Sequence, residues 1–299
     1  MVKNNRKKVV VATHNGKFHA DEVFAVATLN IFFGQTIKVL RTRDVKVIEK
    51  ADIVVDVGMK YDQKKYFDHH QLSVAGKRKN GIPFASFGLV WKHFGPEVCR
   101  SAKISLDIDR RLVQTIDAED NGVAPAESNF DFLPYGISSV ISSFNLNWDE
   151  DGSKQNFNFA KAVKFAEELL RREIMRSSSV EIAKNKFKKI YENSKDKGVV
   201  VLNKNYPWRE FIGDFTRVKF VVYPGEDGRW HASSVRKNDL TFENKKTFPQ
   251  IWAGKTGADL ERASGVVGAV FCHKNLFFVV ANSRDSVIRL VQKALKSKR

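Results

Sequence analysis

The chain is expected to fold as an α/β protein with an N-terminal, mainly parallel sheet domain, a smaller C-terminal mixed α/β domain and long connecting helices. Three observations lead there. Short apolar runs in "KKVVVATHNG", "TIKVLRTRD" and "ADIVVDVG" each end in a polar turn, and a helical pattern separates the first two. A long helical stretch follows from Asn156, and strand patterns resume after Gly198. The expected divisions are 1–150, a helical connector over 151–197, and 198–299.

Taken in order, "KKVVVATHNG" reads as a buried strand, and "DEVFAVATLNIFF" as the helix after it, so His14, His19 and Asp21 fall at a strand-to-helix transition. The second strand carries Arg41, Arg43 and Asp44 towards its end; the third ends near Asp56. In "RRLVQTIDAEDNG" a helix ends in acidic residues before Asn121 and Gly122. The stretch from Asn156 to Gly198 is long for one globular helix, and Ser177 to Ser179 offers a bend or break. Its Phe157, Phe159, Phe165 and Phe187 read as packing residues. "VVVLNK", "RVKFVVYPG" and "WHASSV" are strands of the second domain, and the last segment gives further strands and a basic helix.

Composition narrows the function classes. The 299 residues carry a net charge of +17, which favours encounter with phosphate-rich partners, although a broadly solvated basic surface has the same composition. The run "KNKFKKI" at 184–190 fits the solvated face of a helix. Two distant cysteines, Cys99 and Cys272, fit a reduced interior better than a disulfide or a zinc cluster. No apolar run has membrane-spanning length, and "MVKNNRKKVVVATHNG" lacks the apolar core of a secretory signal, so cytoplasm is the expected location.

Asp68, His69 and His70 arrive together in a chain with seven histidines. Taken singly, the candidate residues have ordinary roles: Asp21 caps a helix, His19 bonds a helix terminus, His14 fills a half-buried position, and Asp117, Glu119 and Asp120 mark a helix end. Taken together with Asp56 and the adjacent histidines they suit another purpose. Imidazoles and carboxylates hold manganese or related divalent ions, and several carboxylates can hold two ions close enough to share a water or phosphate oxygen.

The blocks "THNGKFHADE", "RTRD", "DIVVDVG", "FDHHQ", "FGLVWKHFG" and "DAEDNG", in this order, resemble the MYG1 protein family, a branch of the DHH phosphoesterase superfamily; "PW", "VVYP" and "ASGVVGAVFCHK" extend the resemblance over almost the whole chain. The resemblance implies a DHH-type N-terminal phosphoesterase domain with a divalent metal centre, a substrate-binding C-terminal domain across a cleft, and metal-dependent 3′ to 5′ exonuclease activity on RNA. By motif, His14, His19, Asp21, Asp56, His69 and Asp120 become the metal ligands, with Asp56 bridging two ions, manganese ahead of magnesium. His70 becomes a general acid near the scissile phosphate and Asp68 the group that orients an adjacent imidazole, with the division between His69 and His70 left open.

Arg41 and Arg43 match a family block, which implies phosphate contact or loop fixing for at least one; solvated arginines at a strand end are the ordinary alternative. His273, by resemblance, and Arg284 are further substrate-binding candidates. The expected partner is single-stranded RNA or a short oligonucleotide, with no membrane, and a homodimer is the assembly considered. Related sequences carry a glycine pair where this chain has Val279 and Val280, so substrate placement is expected to differ. Two other functions compete: a hydrolase of small phosphodiesters or cyclic nucleotides with the same metal centre, and a non-catalytic basic RNA-binding scaffold.

Overall fold

A computed structural model describes residues 8–34, 37–71, 75–123, 131, 134–238 and 241–297. The chain forms two compact units, Met1–Ser177 and Ser178–Arg299. The first is built on a four-stranded, all-parallel sheet of β1 (Val9–Thr13), β2 (Ile37–Arg41), β3 (Ile53–Val55) and β4 (Tyr66–Phe67) in the order β2-β1-β3-β4. The inner strands β1 and β3 are β-branched, as a parallel sheet covered on both faces requires. Val11, Ile53 and Val55 face one core, and Ala12 and Val54 face a smaller one shared with Ile48 and Ala51. Ile48 ends the short helix α2 (Val45–Ile48), whose N-cap Asp44 accepts from the Lys46 amide.

The helix α1 (Ala20–Phe32) has ten successive buried residues from Ala20 to Leu29, apolar on every face beyond its first turn except at Thr28, as a helix enclosed by others must be. It packs on α3 (Ser86–Val98), whose Phe87 ring meets Phe24 at 5.3 Å. The helices α4 (Ala102–Ile108) and α5 (Gln114–Asp120) are joined by one π-helical stretch over Asp109–Val113. A π-bulge shifts the helical register. Here it lies just before the turn that carries Asp117, Glu119 and Asp120.

Asp117 is fully buried where α5 meets α3. Its carboxylate accepts from the Gly88 amide at 3.0 Å and lies 2.8 Å from Arg78, which also pairs with Asp109 at 2.7 Å. A Cβ at Gly88 would fall 1.8 Å from Asp117 Oδ2, so only glycine lets α3 approach this closely.

The short helix α6 (Ile137–Ser142) follows, and then α7 (Gln155–Asn193). The helix α7 runs without interruption through Ser177–Ser179, so no break occurs there. The Ser177 hydroxyl is tied to Asp107 at 3.0 Å and to Arg111 at 2.8 Å, which gives that serine a buried packing role. Phe159 and Phe187 are buried and Phe165 is partly buried, as expected of packing residues, whereas Phe157 is exposed under the Lys161 ammonium.

The second unit contains the mixed sheet β5-β6-β7-β9-β8, made from β5 (Val199–Val201), β6 (Phe220–Pro224), β7 (Trp230–Ser234), β8 (Ala269–Cys272) and β9 (Phe278–Ala281). The β5–β6 pair is parallel and the others are antiparallel. One face packs on α8 (Gly257–Ser264) and α9 (Arg284–Lys296); the other covers Ala183, Phe187 and Trp208. Val279 and Val280 are both buried in β9, between β7 and β8, where β-branched side chains suit the interior of a sheet. Cys99 and Cys272 are free thiols whose burial pushes both up to about 12.

Burial raises Asp117 to about 7 against the opposing pull of Arg78. The stability conferred by its neutral form is complete below the ordinary carboxylate range and is lost as pH rises through about 7. Arg78→Ala is therefore expected to destabilise the protein by about 3 kcal/mol at pH 8, where an ionised Asp117 loses its partner, and by clearly less at pH 5. Urea unfolding at the two pH values measures this, and an equal loss at both would contradict it.

Candidate metal centre

The chain leaves β1 for β2 on one side and later returns as β3 on the other, so a crevice opens between the carboxyl ends of β1 and β3. Each strand delivers a polar residue close to its end. His14 follows β1, Arg43 lies two residues beyond the end of β2, Asp56 follows β3, and Asp68, His69 and His70 follow β4. The N-terminus of α1 adds His19, Asp21 and Glu22, and the last residue of α5 is Asp120.

These side chains meet. His14 Nε2 lies 2.8 Å from Glu22 Oε1 and 3.3 Å from Asp56 Oδ2. His69 Nε2 lies 3.4 Å from Asp56 Oδ1 and 3.1 Å from Asp120 Oδ2. The two oxygens of Asp56 thus face two different imidazoles, and Ser86 donates to Oδ1 at 3.0 Å. Asp56 holds this position with φ of 55°, in the left-handed region that aspartate tolerates better than most residues. His14, His19 and Glu22, then Asp56, His69 and His70, then His19, Asp21 and Asp120, and finally Asp21, Glu22 and Asp56 each bring ligand atoms within 4.8 Å of one another.

The adjacent histidines divide. His69 turns inward, with a side chain 9% exposed, whereas that of His70 is 53% exposed. Asp68 is buried and saturated: Oδ1 accepts from the His70 amide at 3.0 Å and faces His70 Nδ1 at 2.8 Å, while Oδ2 accepts from the Met59 amide at 2.7 Å. It fixes the turn and the His70 ring together.

The electrostatics are those of a site able to hold a cation. Asp21 is 0% exposed, and neither of its oxygens has a hydrogen-bond partner. Burial, reinforced by Asp56, Glu22 and Asp120, pushes it well above the usual carboxylate range. Burial opposes charge on His14, but hydrogen bonds to Asp56 and Glu22 prevail and raise it to about 10. His69 rises to about 10 in the same way, through Asp120 and Asp56. Burial also opposes charge on Asp56, yet the two histidines hold it below the usual range.

A divalent ion fits these donors. His69 Nε2 lies within 3.4 Å of the Asp56 and Asp120 carboxylates at once, so the donor atoms converge on one place. Neighbouring ligands of an octahedral ion with bonds of about 2.1 Å stand about 3 Å apart, which is the spacing seen here. His14 can donate from Nδ1 to Asn15 O at 3.0 Å, leaving the Nε2 lone pair directed at the cluster.

The other expected residues are placed as follows. Arg43 reaches His14 Nδ1 at 3.4 Å from an exposed position beside the cluster. Arg41 is committed to structure: it donates to Gly16 O at 2.7 Å and Asn156 Oδ1 at 3.1 Å and lies over the Phe159 ring. With Asn145, which brackets the Phe18 backbone, and Gln155, it fixes the loop between His14 and His19. In the second unit, His273 Nδ1 accepts from the Asn275 amide within the β8–β9 turn. Arg284 is exposed at the start of α9, beside Lys189 and Lys195.

Sequence reasoning passed over Glu22 and Ser86. Glu22 lies inside the block "THNGKFHADE" but reads as a first-turn helix acid, and it does accept from the His19 amide at 2.9 Å. Ser86 stands one residue before the block "FGLVWKHFG" and had no signal of its own. Beside the cluster lies a cavity of about 700 Å³, bordered by Asp21, Glu119, Asp120, Tyr135 and the serines of α6.

Fold and site together define an α/β protein whose strand ends carry clustered histidines and carboxylates able to chelate a divalent metal. The family described as "Uncharacterised protein family (UPF0160)", under the name MYG1 exonuclease, matches residues 10–295, and the chain belongs to this MYG1 family. It is 30% identical to the MYG1 protein of Saccharomyces cerevisiae, over 98% of this chain and 97% of that one. The MYG1 protein of Chlamydia trachomatis is 31% identical, over 97% of each chain. A protein of Rattus norvegicus named MYG1 exonuclease is 25% identical, over 95% of this chain and 84% of its own. Among the described residues, no helix is long and apolar enough to cross a membrane.

Asp21→Asn separates the cost of the buried charge from its use. In chelator at pH 7 the variant is expected to melt a few degrees above the parent, because about 1 kcal/mol or more of desolvation is relieved. The gain fades as pH falls through the ordinary carboxylate range, because the parent carboxyl then becomes neutral in the unfolded chain as well. The manganese-induced rise in melting temperature should shrink or vanish. A less stable metal-free variant with an unchanged manganese response would contradict the assignment.

Proposed function

We propose that this protein is a metal-dependent phosphodiesterase that shortens RNA or short oligonucleotides from the 3′ end. The observation that carries the reading is Asp56, whose two oxygens face His14 and His69 separately, next to the unpartnered carboxylate of Asp21. Such a carboxylate suits a bridge between two ions. His14, His19, Asp21, Glu22, Asp56, His69 and Asp120 are the proposed holders, and the mixture of imidazole and carboxylate favours manganese over magnesium, which prefers an all-oxygen shell. Bound divalent ions of this kind supply Lewis acidity that lowers the pKa of a water and neutralises charge on a phosphate.

The chain's own residues do the rest. Asp68 holds Nδ1 of His70, so Nε2 is the atom able to pass a proton to the leaving oxygen. The partial exposure of His70 lets a substrate reach it. Arg43 is the proposed phosphate contact beside His14, and Arg41 keeps the loop between His14 and His19 in place. Substrate contact by His273 and Arg284, a homodimeric assembly and a cytoplasmic location belong to the same proposal. The family match and the name of the rat relative support it. So does the net charge of +17, which favours a polyanionic substrate.

The test uses 5′-labelled single-stranded RNA, DNA and small phosphodiesters with metal-stripped protein and restored manganese or magnesium. Progressive 3′ shortening of RNA, abolished by chelator and by Asp56→Ala, is the expected result. His70→Ala should bind manganese as the parent does while kcat falls by roughly 10² or more. Binding of RNA with no phosphodiester cleaved under either metal would overturn the enzymatic reading and leave an RNA-binding scaffold. Cleavage of small or cyclic phosphodiesters alone would favour the small-substrate hydrolase.

A further inference from the structure

The geometry points to a pocket for the vicinal 2′,3′-diol of a ribonucleotide, formed by Glu119 and the hydroxyls of Ser138, Ser139 and Ser142 beside the metal centre. It rests on the exonuclease reading and deepens it, because that diol is what marks the 3′ end of an RNA chain.

The cavity of about 700 Å³ reaches the centre at Asp21, which is fully buried with both oxygens unpartnered, so its inner end requires a ligand. Further out, Glu119 Oε2 is also buried without a partner. A carboxylate only accepts, and a buried acceptor left without a donor costs on the order of 1–3 kcal/mol. Among the described residues, no lysine or arginine lines the cavity. An occupant that brings O–H or N–H donors would satisfy the carboxylate acceptors of this described lining.

The cavity is also lined by hydroxyls. Ser138 and Ser142 stand four residues apart on α6 and so share one helix face, with Ser139 beside them. The hydroxyls of these three serines make no hydrogen bond among the described residues, whereas Ser143, the next serine, returns its hydroxyl to Val140 O at 2.7 Å. A serine hydroxyl both donates and accepts, as does each hydroxyl of a ribose. A cis-diol offers two donors at a fixed spacing to one carboxylate and two acceptors to the serines. A 2′-deoxyribose end offers one hydroxyl fewer, which leaves Glu119 or a serine unsatisfied.

Gly136 supports this placement. Its φ of −86° and ψ of −177° are open to any residue, so no backbone demand calls for glycine there. A Cβ at this position would lie 3.2 Å from Glu119 Oε1, closer than ordinary contact, so the missing side chain leaves the carboxylate room.

The probe is adenosine 5′-monophosphate, which carries the diol and has no phosphodiester to cleave. Its affinity for the manganese-loaded full chain, measured calorimetrically, is compared with those of the 2′-deoxy and 3′-deoxy nucleotides. Loss of either hydroxyl is expected to weaken binding about tenfold. Glu119→Ala and Ser138→Ala/Ser142→Ala should bring the ratio of ribo to 2′-deoxy affinity close to one, with manganese content unchanged by metal analysis. If Glu119→Ala folds poorly or loses metal, Gly136→Ala crowds the same carboxylate and should lower the ratio with the charge retained. Equal binding of ribo and deoxy nucleotides by the parent, no binding at millimolar concentration, or a ratio untouched by all three variants overturns the inference. A diol preference without shortening of RNA would sink the exonuclease reading while leaving the pocket intact.

Discussion

Asp21 imposes the constraint on which the first unit depends: a carboxylate at the start of a buried helix, wholly out of water and surrounded by the carboxylates of Asp56, Glu22 and Asp120. Ionised carboxylates leave water only at several kcal/mol unless something compensates. Compensation from the fold is partial. The N-terminus of α1 places its unsatisfied amides and positive dipole end under Asp21 and Glu22, which favours charge there. Asp120 has the opposite setting, at the C-terminal end of α5, where the dipole disfavours a carboxylate. Asp56 is held in a left-handed conformation. Three local preferences are thus set against stability within one cluster, and cost of this kind concentrates at functional sites.

The strand ends explain why so much of the cluster is legible in the sequence. A parallel sheet with order β2-β1-β3-β4 brings the residues after β1 and β3 together at a switch point, so His14 and Asp56 are neighbours once two strands are recognised. The block after β4 follows by the same logic. Asp120 is different, because its return depends on the π-helical stretch and on the packing of α5 on α1 and α3, neither of which has a spacing to read. Glu22 was hidden by its success in a second role, since a first-turn glutamate that accepts from the N-cap amide looks complete without a metal. Phe157 failed in the other direction, an aromatic on α7 that packs against no core. The Val279–Val280 pair, conspicuous against family glycines, takes on an ordinary role once β9 is seen inside the sheet between β7 and β8.

The two adjacent histidines show how one turn produces two chemistries. Asp68 binds the amide of His70, the ring of His70 and the amide of Met59, so the turn is held from three sides by one buried carboxylate. With the backbone fixed, successive side chains leave in different directions: His69 enters the cluster and His70 opens to solvent. A single histidine could not both face Asp56 and Asp120 from within and meet a group arriving from outside. The aspartate of the triplet, read from the sequence as the group that orients an adjacent imidazole, is the part that makes the other two distinct.

Charge distribution weighs against a purely electrostatic role for this region. The chain as a whole is strongly basic, yet the crevice collects Asp21, Glu22, Asp56 and Asp120, with Glu119 in the adjoining cavity. A surface selected only to hold nucleic acid gains nothing from carboxylates that repel phosphate, and removing Asp21 would relieve both the repulsion and the burial. Divalent cations held between them would reverse the signs locally: the same carboxylates would hold positive charge for the phosphate of the proposed substrate, and the basic remainder would draw a polyanion towards it. An acidic crevice in a basic protein is thus what the proposed metal-dependent function would require, whereas a simple binding surface would have no use for it.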